Sequence, residues 1–288
     1  MTMQTGAELS VRLRTMAADD LATAHKLSRQ IKWPHRLEDW ESFLRVGQGV
    51  VAEQDGKLVG TVMGWTYGPD VASLGMVIVA PGLQGQGIGR RMMETMIERL
   101  DNRAILLNAT AEGLPLYERL GFQPIGTIHQ HQGTAFTVPI AELGPNERIR
   151  PVGRGDEGVI VELDRKASGG DRGALLAELL REKAQGVVLD RDGEAIGFSF
   201  YRRFGRGYLV GPTVAPDERG AKALISHWLG SNAGIFSRLD VPGDSALCEW
   251  LDDLGLAGAG KVTTMVRGTA PARVGPTRNY SIASQALG

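Results

Sequence analysis

The chain has 288 residues, 42% of them hydrophobic and 23% charged, and a formal net charge of −1. That length admits two domains and the composition fits a soluble globular protein, while near-neutral charge gives no reason to expect nucleic acid or an anionic membrane surface as a partner. Met1 to Ser10 has neither a charged start nor an apolar core, no stretch reads as a membrane span, and Cys248 is the single cysteine, so a reducing cytoplasm is the expected location.

In chain order, Val50 to Val62 reads as a β-hairpin, with Asp55-Gly56 a two-residue turn signal between apolar runs. Val77-Ile-Val-Ala-Pro-Gly-Leu-Gln-Gly-Gln-Gly-Ile-Gly-Arg90 is a β-branched run, then a glycine-rich turn, then the start of a helix near Ile88. Ile88, Met92, Met96, Ile97 and Leu100 recur at three- and four-residue spacing, the buried face of that helix. Glycines 85, 87 and 89 have no Cβ, so the loop can take positive φ and bring backbone N–H groups and a helix N-terminus around one small volume, which suits phosphate. A strand at Ala104 to Asn108 follows. Ala135 to Ile140 is strand-like, and Leu-Gly-Pro-Asn within Ala141 to Glu147 breaks it at an expected domain boundary.

What the glycine loop lacks narrows its ligand. Arg90, Arg91 and Met92 stand where a Walker loop needs Lys-Ser or Lys-Thr, and Arg90 stands where a dinucleotide fingerprint needs its third glycine. Gln-x-x-Gly-x-Gly over residues 84 to 89, preceded by Val-Ala-Pro, resembles the acetyl-CoA-binding signature of the GNAT superfamily of N-acetyltransferases. The likeness runs from about residue 10 to 140. Arg12 to Asp20 resembles the family's first strand entering its first helix, with Asp19 or Asp20 as N-cap, and Leu114-Pro-Leu-Tyr-Glu-Arg-Leu-Gly-Phe122 resembles its helix end, capped by Gly121.

An internal repeat sits at offsets of about 135. Asp55-Gly56 recurs as Asp192-Gly193, Arg12-Leu-Arg14 with Asp20 as Arg148-Ile-Arg150 with Asp156, Ala80-Pro81 as Ala215-Pro216, and Leu120-Gly121-Phe122 as Leu254-Gly255-Leu256. Four collinear landmarks imply two copies of one fold. The expected class is therefore mixed α/β (α+β): two tandem acyl-CoA N-acyltransferase folds, each a mixed, mostly antiparallel sheet flanked by helices, over residues 1–143 and 144–288. The second copy keeps only Gly220 of the three glycines and places Asp217 and Glu218 where a pyrophosphate would sit, which makes phosphate approach costly. It is expected to wall the substrate pocket, mediate dimer contacts or stabilise the first half. The tail from Thr269 is either a docked strand or poorly ordered.

The resemblance implies direct attack of an acceptor amine on the acetyl thioester. It implies that backbone groups of Val77, Ile78 and Val79 meet the pantetheine and acetyl carbonyl, that Gln84, Gly85, Gln86, Gly87, Ile88, Gly89 and Arg90 hold the pyrophosphate, and that Tyr117 protonates the departing thiolate. Two departures stand out. Thr110 takes the place of a frequent asparagine seven residues before the tyrosine, and Ala72 to Met76 offers no carboxylate base. Trp33, His35 and Arg36, just ahead of a helix whose apolar face is Leu37, Trp40, Phe43 and Leu44, are candidates to meet the acceptor; packing and solvation explain them equally well. His129 and His131 share one strand face, but with no third ligand evident a metal is not expected. Cys248 falls near the place of Tyr117 in the second copy; His227 is the only histidine in that half, and a small buried residue is the favoured reading. The expected function is transfer of acetyl from acetyl-CoA, as co-substrate, to a small amine, with no metal and with a homodimer left open. A non-catalytic acyl-CoA sensor or scaffold is the alternative, and a protein-lysine acetyltransferase, with an open groove, is the in-class variant.

Overall fold

The computed structural model describes residues 11–288. The first half runs β1 (Arg12–Thr15), α1 (Leu21–Gln30), α2 (Leu37–Val46), β2 (Gln48–Gln54), β3 (Lys57–Tyr67), β4 (Val71–Val79), α3 (Ile88–Leu100), β5 (Ala104–Ala109), α4 (Leu114–Arg119) and β6 (Gln123–Thr134). The second repeats it: β7 (Glu147–Pro151), α5 (Glu157–Ser168), α6 (Gly173–Arg181), β8 (Gln185–Arg191), β9 (Glu194–Phe204), β10 (Gly207–Ala215), α7 (Glu218–Ser231), β11 (Phe236–Pro242), α8 (Leu247–Asp253) and β12 (Leu256–Arg267), with β13 (Arg278–Ser281) added. The strand-like segment expected at Ala135 to Ile140 is not a strand: the strand lies earlier, as β6, and Ala135 instead packs into the second half's core.

The repeat is reproduced bond for bond. Arg14 binds both Asp20 oxygens at 2.7 and 2.8 Å and Glu53 at 2.9 Å; Arg150 binds both Asp156 oxygens at 2.6 and 2.9 Å and Asp190 at 2.8 Å. Asp20 accepts from the Ala17 N–H and Asp156 from the Gly153 N–H, so each carboxylate ties the strand exit to the helix entry. Arg14 holds the Asp20 carboxyl, and Arg150 that of Asp156, below the usual range. Both hairpins turn through left-handed pairs, Asp55 (φ 51) with Gly56 (φ 71) and Asp192 (φ 55) with Gly193 (φ 91), as type I′ geometry requires.

The two copies exchange their last strands. The sheet order is β1-β2-β3-β4-β5-β12-β6-β11-β10-β9-β8-β7, with β13 beside β10. Thus β12 pairs antiparallel with β5 (Met265 opposite Leu107), and β6 with β11 (His131 opposite Leu239). Each half's sheet is completed by the other. One apolar core spans both, joining Trp40, Phe43 and Trp65 to Phe198, Phe200 and Leu176; α3 and α7 cover separate clusters on the opposite face.

Residues after β13 are buried between the halves. On the sheet face opposite α3, the backbone oxygens of Gln285, Ala286 and Leu287 accept from Asn108 Nδ2 (2.9 Å), Ser73 Oγ (2.7 Å) and Tyr67 Oη (2.6 Å). Arg172, itself locked to buried Asp164 at 2.6 Å, holds the Gly288 oxygen. The tail is thus a docked segment.

Candidate active site

β4 pairs in parallel with β5 only over Val71–Ser73, after which the two strands part. A bulge at Met76 (φ 53), where the register against β3 slips and Thr61 Oγ1 binds the Met76 carbonyl at 2.8 Å, turns β4 away. Leu74 to Val79 therefore shows an unpaired edge to the fork. At its end lies the glycine loop. Gly82 (φ 89), Gly85 (φ 79) and Gly87 (φ 79) are left-handed, and a Cβ at any of them would meet nothing within 4 Å, so they serve backbone shape and open space. Gly89, expected to share that role, is an ordinary helical residue whose Cβ would pack on Val79 and Leu116; Gly82 is the third left-handed position instead.

Gly87 is the N-cap of α3, and the first helical N–H groups, from Ile88 to Arg90, face the loop. Gln84 and Gln86 fold back onto the Val79 and Gly82 carbonyls, Arg90 pairs with Glu94 at 2.8 Å, and Arg91 reaches the Val11 carbonyl. A concave, donor-rich loop leading from an unpaired strand edge fits a pyrophosphate with a thin arm beyond it.

Tyr117 sits on α4 against Phe122 (ring centroids 6.1 Å apart) within the α3-side core. No protein group among the described residues bonds its hydroxyl, and burial pushes the phenol up to about 12, so it stays protonated at neutral pH.

On the other side of the fork lies a cavity of about 310 Å³ between the halves. Its wall takes Trp33 and His35 from the α1–α2 connection, Gly75, Met76, Asn108 and Thr110 from the fork, Gln130 and Gln132 from β6, Phe204 and Arg206 from the β9–β10 turn, Arg238 from β11 and Ser284 to Ala286 from the tail. Of the three acceptor-side candidates, Trp33 and His35 are there; Arg36 is not. It binds Asp39 and the Arg203 carbonyl, while Asp39 also accepts from the Gly205 N–H at 3.0 Å, so this pair clamps the second half's turn against the first. His35 is ringed by Trp33, Phe43 and Phe204, and burial holds its pKa down at about 4, so it is a neutral wall residue. Asn108 escaped the sequence reading: it lies two residues before Thr110 on β5, donates to Gln285 and accepts from Thr264 Oγ1. The contributions of β6, β11 and the tail depend on strand exchange, which no local motif reports.

The equivalent fork in the second half is closed. β13 pairs along Thr213–Ala215 of β10, and the α7 N-terminus is capped by its own Asp217, which accepts from the Gly220 N–H at 2.7 Å. Strand exchange also brings His129 and His131 to α8, where one donor atom from each lies within 4.8 Å of Cys248 Sγ. A third metal-type ligand, which the strand alone does not supply, is therefore present, and a histidine of the first half is the neighbour of Cys248. However, burial and the charges of Asp252 and Asp244 push the thiol up, the reverse of a thiolate poised for metal or nucleophilic work.

A forked sheet, a glycine loop and a helix N-terminus, given twice and intact once, define a tandem acyltransferase fold. The model of the acetyltransferase (GNAT) family matches residues 14–122 and that of the acetyltransferase (GNAT) domain matches residues 160–280, and the chain belongs to this family as a tandem member. It is 29% identical over 270 residues to the uncharacterized N-acetyltransferase YitH of Bacillus subtilis, covering 91% of this chain and 93% of that one. Holothin acyltransferase of a Pseudoalteromonas species is 24% identical over 65% of this chain and 63% of its own length. Among solved structures, a GCN5-related N-acetyltransferase from Sphaerobacter thermophilus superposes with a TM-score of 0.64 at 16% identity, over 92% of this chain and 97% of that one. A tandem GNAT protein from the clavulanic acid biosynthesis pathway gives 0.62 at 13% identity, over 89% and 98%. No described helix is long and apolar enough to cross a membrane.

Proposed function

We propose that the chain transfers acetyl from acetyl-CoA to the amine of a small acceptor, at one site, in the first half. The parting of β4 from β5 into a glycine loop left open at Gly82, Gly85 and Gly87 carries this reading. In it, backbone groups of Val77, Ile78 and Val79 hold the pantetheine arm, and residues 84 to 90 hold the pyrophosphate through main-chain N–H groups. The thioester carbonyl faces the bulged strand, where a backbone donor offsets the charge that develops on attack. The amine enters from the interdomain cavity, forms the new C–N bond, and expels the thiolate; Tyr117 supplies the thiolate's proton, and the amine's surplus proton passes to solvent. Thr110, at the fork's open end, orients the groups between cavity and arm.

The cavity's size supports a small acceptor over a protein chain, because both halves and the tail enclose it. The second half serves as wall, its own fork being filled by β13 and Asp217. The test is acetyl-CoA-dependent release of CoA across a panel of amines, with acetyl-CoA binding followed separately by calorimetry. Tight binding without turnover on any amine would favour the acyl-CoA sensor reading.

A further inference from the structure

We propose that the acceptor is an amine that also carries an anionic group, carboxylate or phosphate, held by the Arg206 turn of the second half. This deepens the acetyl-transfer reading and rests on it. The cavity wall contains three basic side chains, Lys32, Arg206 and Arg238, and no Asp or Glu. Arg238 is neutralised by both oxygens of buried Asp240, at 2.8 to 3.1 Å. Neither Lys32 nor Arg206 has a carboxylate within ion-pair distance among the described residues, so the mouth of the cavity carries two uncompensated positive charges. Of the nearby carboxylates, Asp39 is turned to Arg36 and Gly205 and Asp240 to Arg238 and Gln285, while Glu38 lines the neighbouring surface groove with Arg206 without pairing to it.

Two further observations point the same way. Behind Phe204, whose ring Arg202 covers at 4.6 Å and Arg238 at 6.0 Å, the Arg202 guanidinium is buried with no acidic partner and an unpartnered Nε. His35, in the wall itself, has a buried Nδ1 with no protein partner, a neutral group suited to bond an oxygen of the bound molecule. The Arg206 turn is also held in place, by the Gly205 N–H on Asp39 and the Arg203 carbonyl on Arg36. An ammonium alone would be repelled here; an amine tethered to an anion is drawn in, and the same field favours its unprotonated, nucleophilic form.

Matched pairs of acceptors test this: 4-aminobutyrate against 1-aminobutane, and O-phosphoethanolamine against ethanolamine, in initial rates of CoA release. The anionic member of at least one pair is expected to have the higher kcat/KM by about tenfold or more, the usual worth of a charge-assisted contact, and the better pair identifies the anion. Arg206→Gln should raise KM for that member about tenfold while the neutral member, whose ammonium is no longer repelled, binds no worse, with Arg206→Lys retaining part of the preference. Equal rates within both pairs, a preference for the neutral amines, or equal losses for both members in Arg206→Gln would overturn the proposal. Trp33 fluorescence, with Trp33→Phe as control, reports binding of 4-aminobutyrate and O-phosphoethanolamine without turnover. Binding lost in Arg206→Gln with no amine acetylated would keep the anion site and refute acetyl transfer; neither binding nor a rate preference refutes the anion site.

Discussion

Two buried tyrosines separate catalysis from stability, and Tyr117→Phe is the sharper experiment. The Tyr117 hydroxyl has no protein partner, so its removal breaks no protein hydrogen bond and should change stability by about 0.5 kcal/mol or less. If it donates the proton to the departing thiolate, the loss falls on the transition state. A general acid contributes about 10²-fold or more, so kcat should drop at least about a hundredfold, about 2.7 kcal/mol in activation free energy, with acetyl-CoA affinity kept. Because burial puts the phenol at about 12, its acid form is complete below that value, and no alkaline loss of activity up to about pH 10 should trace to Tyr117. Tyr67→Phe has the opposite signature. It removes a buried 2.6 Å bond to the Leu287 carbonyl and leaves that oxygen unpaired, costing about 1–2 kcal/mol and lowering Tm. The measurements are CoA release at saturating acetyl-CoA, calorimetric binding and thermal melting for both variants. A Tyr117→Phe enzyme within threefold of wild-type kcat would refute the acid assignment, and one with a much lower Tm would show that the hydroxyl is structural.

The other expectations follow from single contacts. Gly87→Ala places a Cβ at φ 79 without a clash, so it should cost only about 1 kcal/mol of stability while weakening acetyl-CoA binding, seen by calorimetry. Asp164→Asn leaves the Arg172 guanidinium buried without its counter-charge and should destabilise by about 3 kcal/mol or more in urea melts. Glu147 is held near pKa 2, chiefly by Arg219 with help from Arg191 and the Gly144 N–H; its stabilising contribution is complete above the ordinary glutamate range and disappears as pH falls toward 2, so Glu147→Gln should flatten the acid limb of the stability–pH curve. Residues 11–143 expressed alone should lack a cooperative melt, because β5 loses β12 and β6 loses β11.

The glycine loop, both Asp-Gly hairpins and the helical stripe from Ile88 to Leu100 were legible because each is a local pattern whose geometry its own residues dictate. The Arg14–Asp20 and Arg150–Asp156 pairs were legible as a repeat before their bonding was visible. Where the last strands go was not: Gln123–Thr134 and Leu256–Arg267 carry the same alternation whether they pair within their own half or across, and only the assembled sheet decides. Apart from the exchange of roles between Gly89 and Gly82, the misses lie where the two halves or the tail come together. His129 meets Cys248, Asn108 meets Gln285, and the interdomain cavity takes Arg206 and Arg238, all across sequence separations of about a hundred residues or more. Arg36 has a related setting that no local pattern reports, since it binds a turn of the other half.

The exchange also explains how one copy can shed its ligand site and still be required. A free-standing second domain with a filled fork would contribute nothing to the first. Here β12 covers the β5 edge, β11 and the 204–207 turn wall the cavity, and the chain after β13 runs from the closed fork of the second half to the open fork of the first. The strand that fills the second site and the tail that bounds the first are one continuous segment, with Ile282 to Ser284 buried at the crossing and Arg202 holding the Ala283 carbonyl at 2.8 Å. Opening the second fork for a pantetheine arm would require lifting β13 from β10, and that would pull Ser284 to Ala286 out of the interdomain cavity. The second fork is therefore closed by the same segment that bounds the first, and with its space filled a glycine loop there would have nothing to shape itself around.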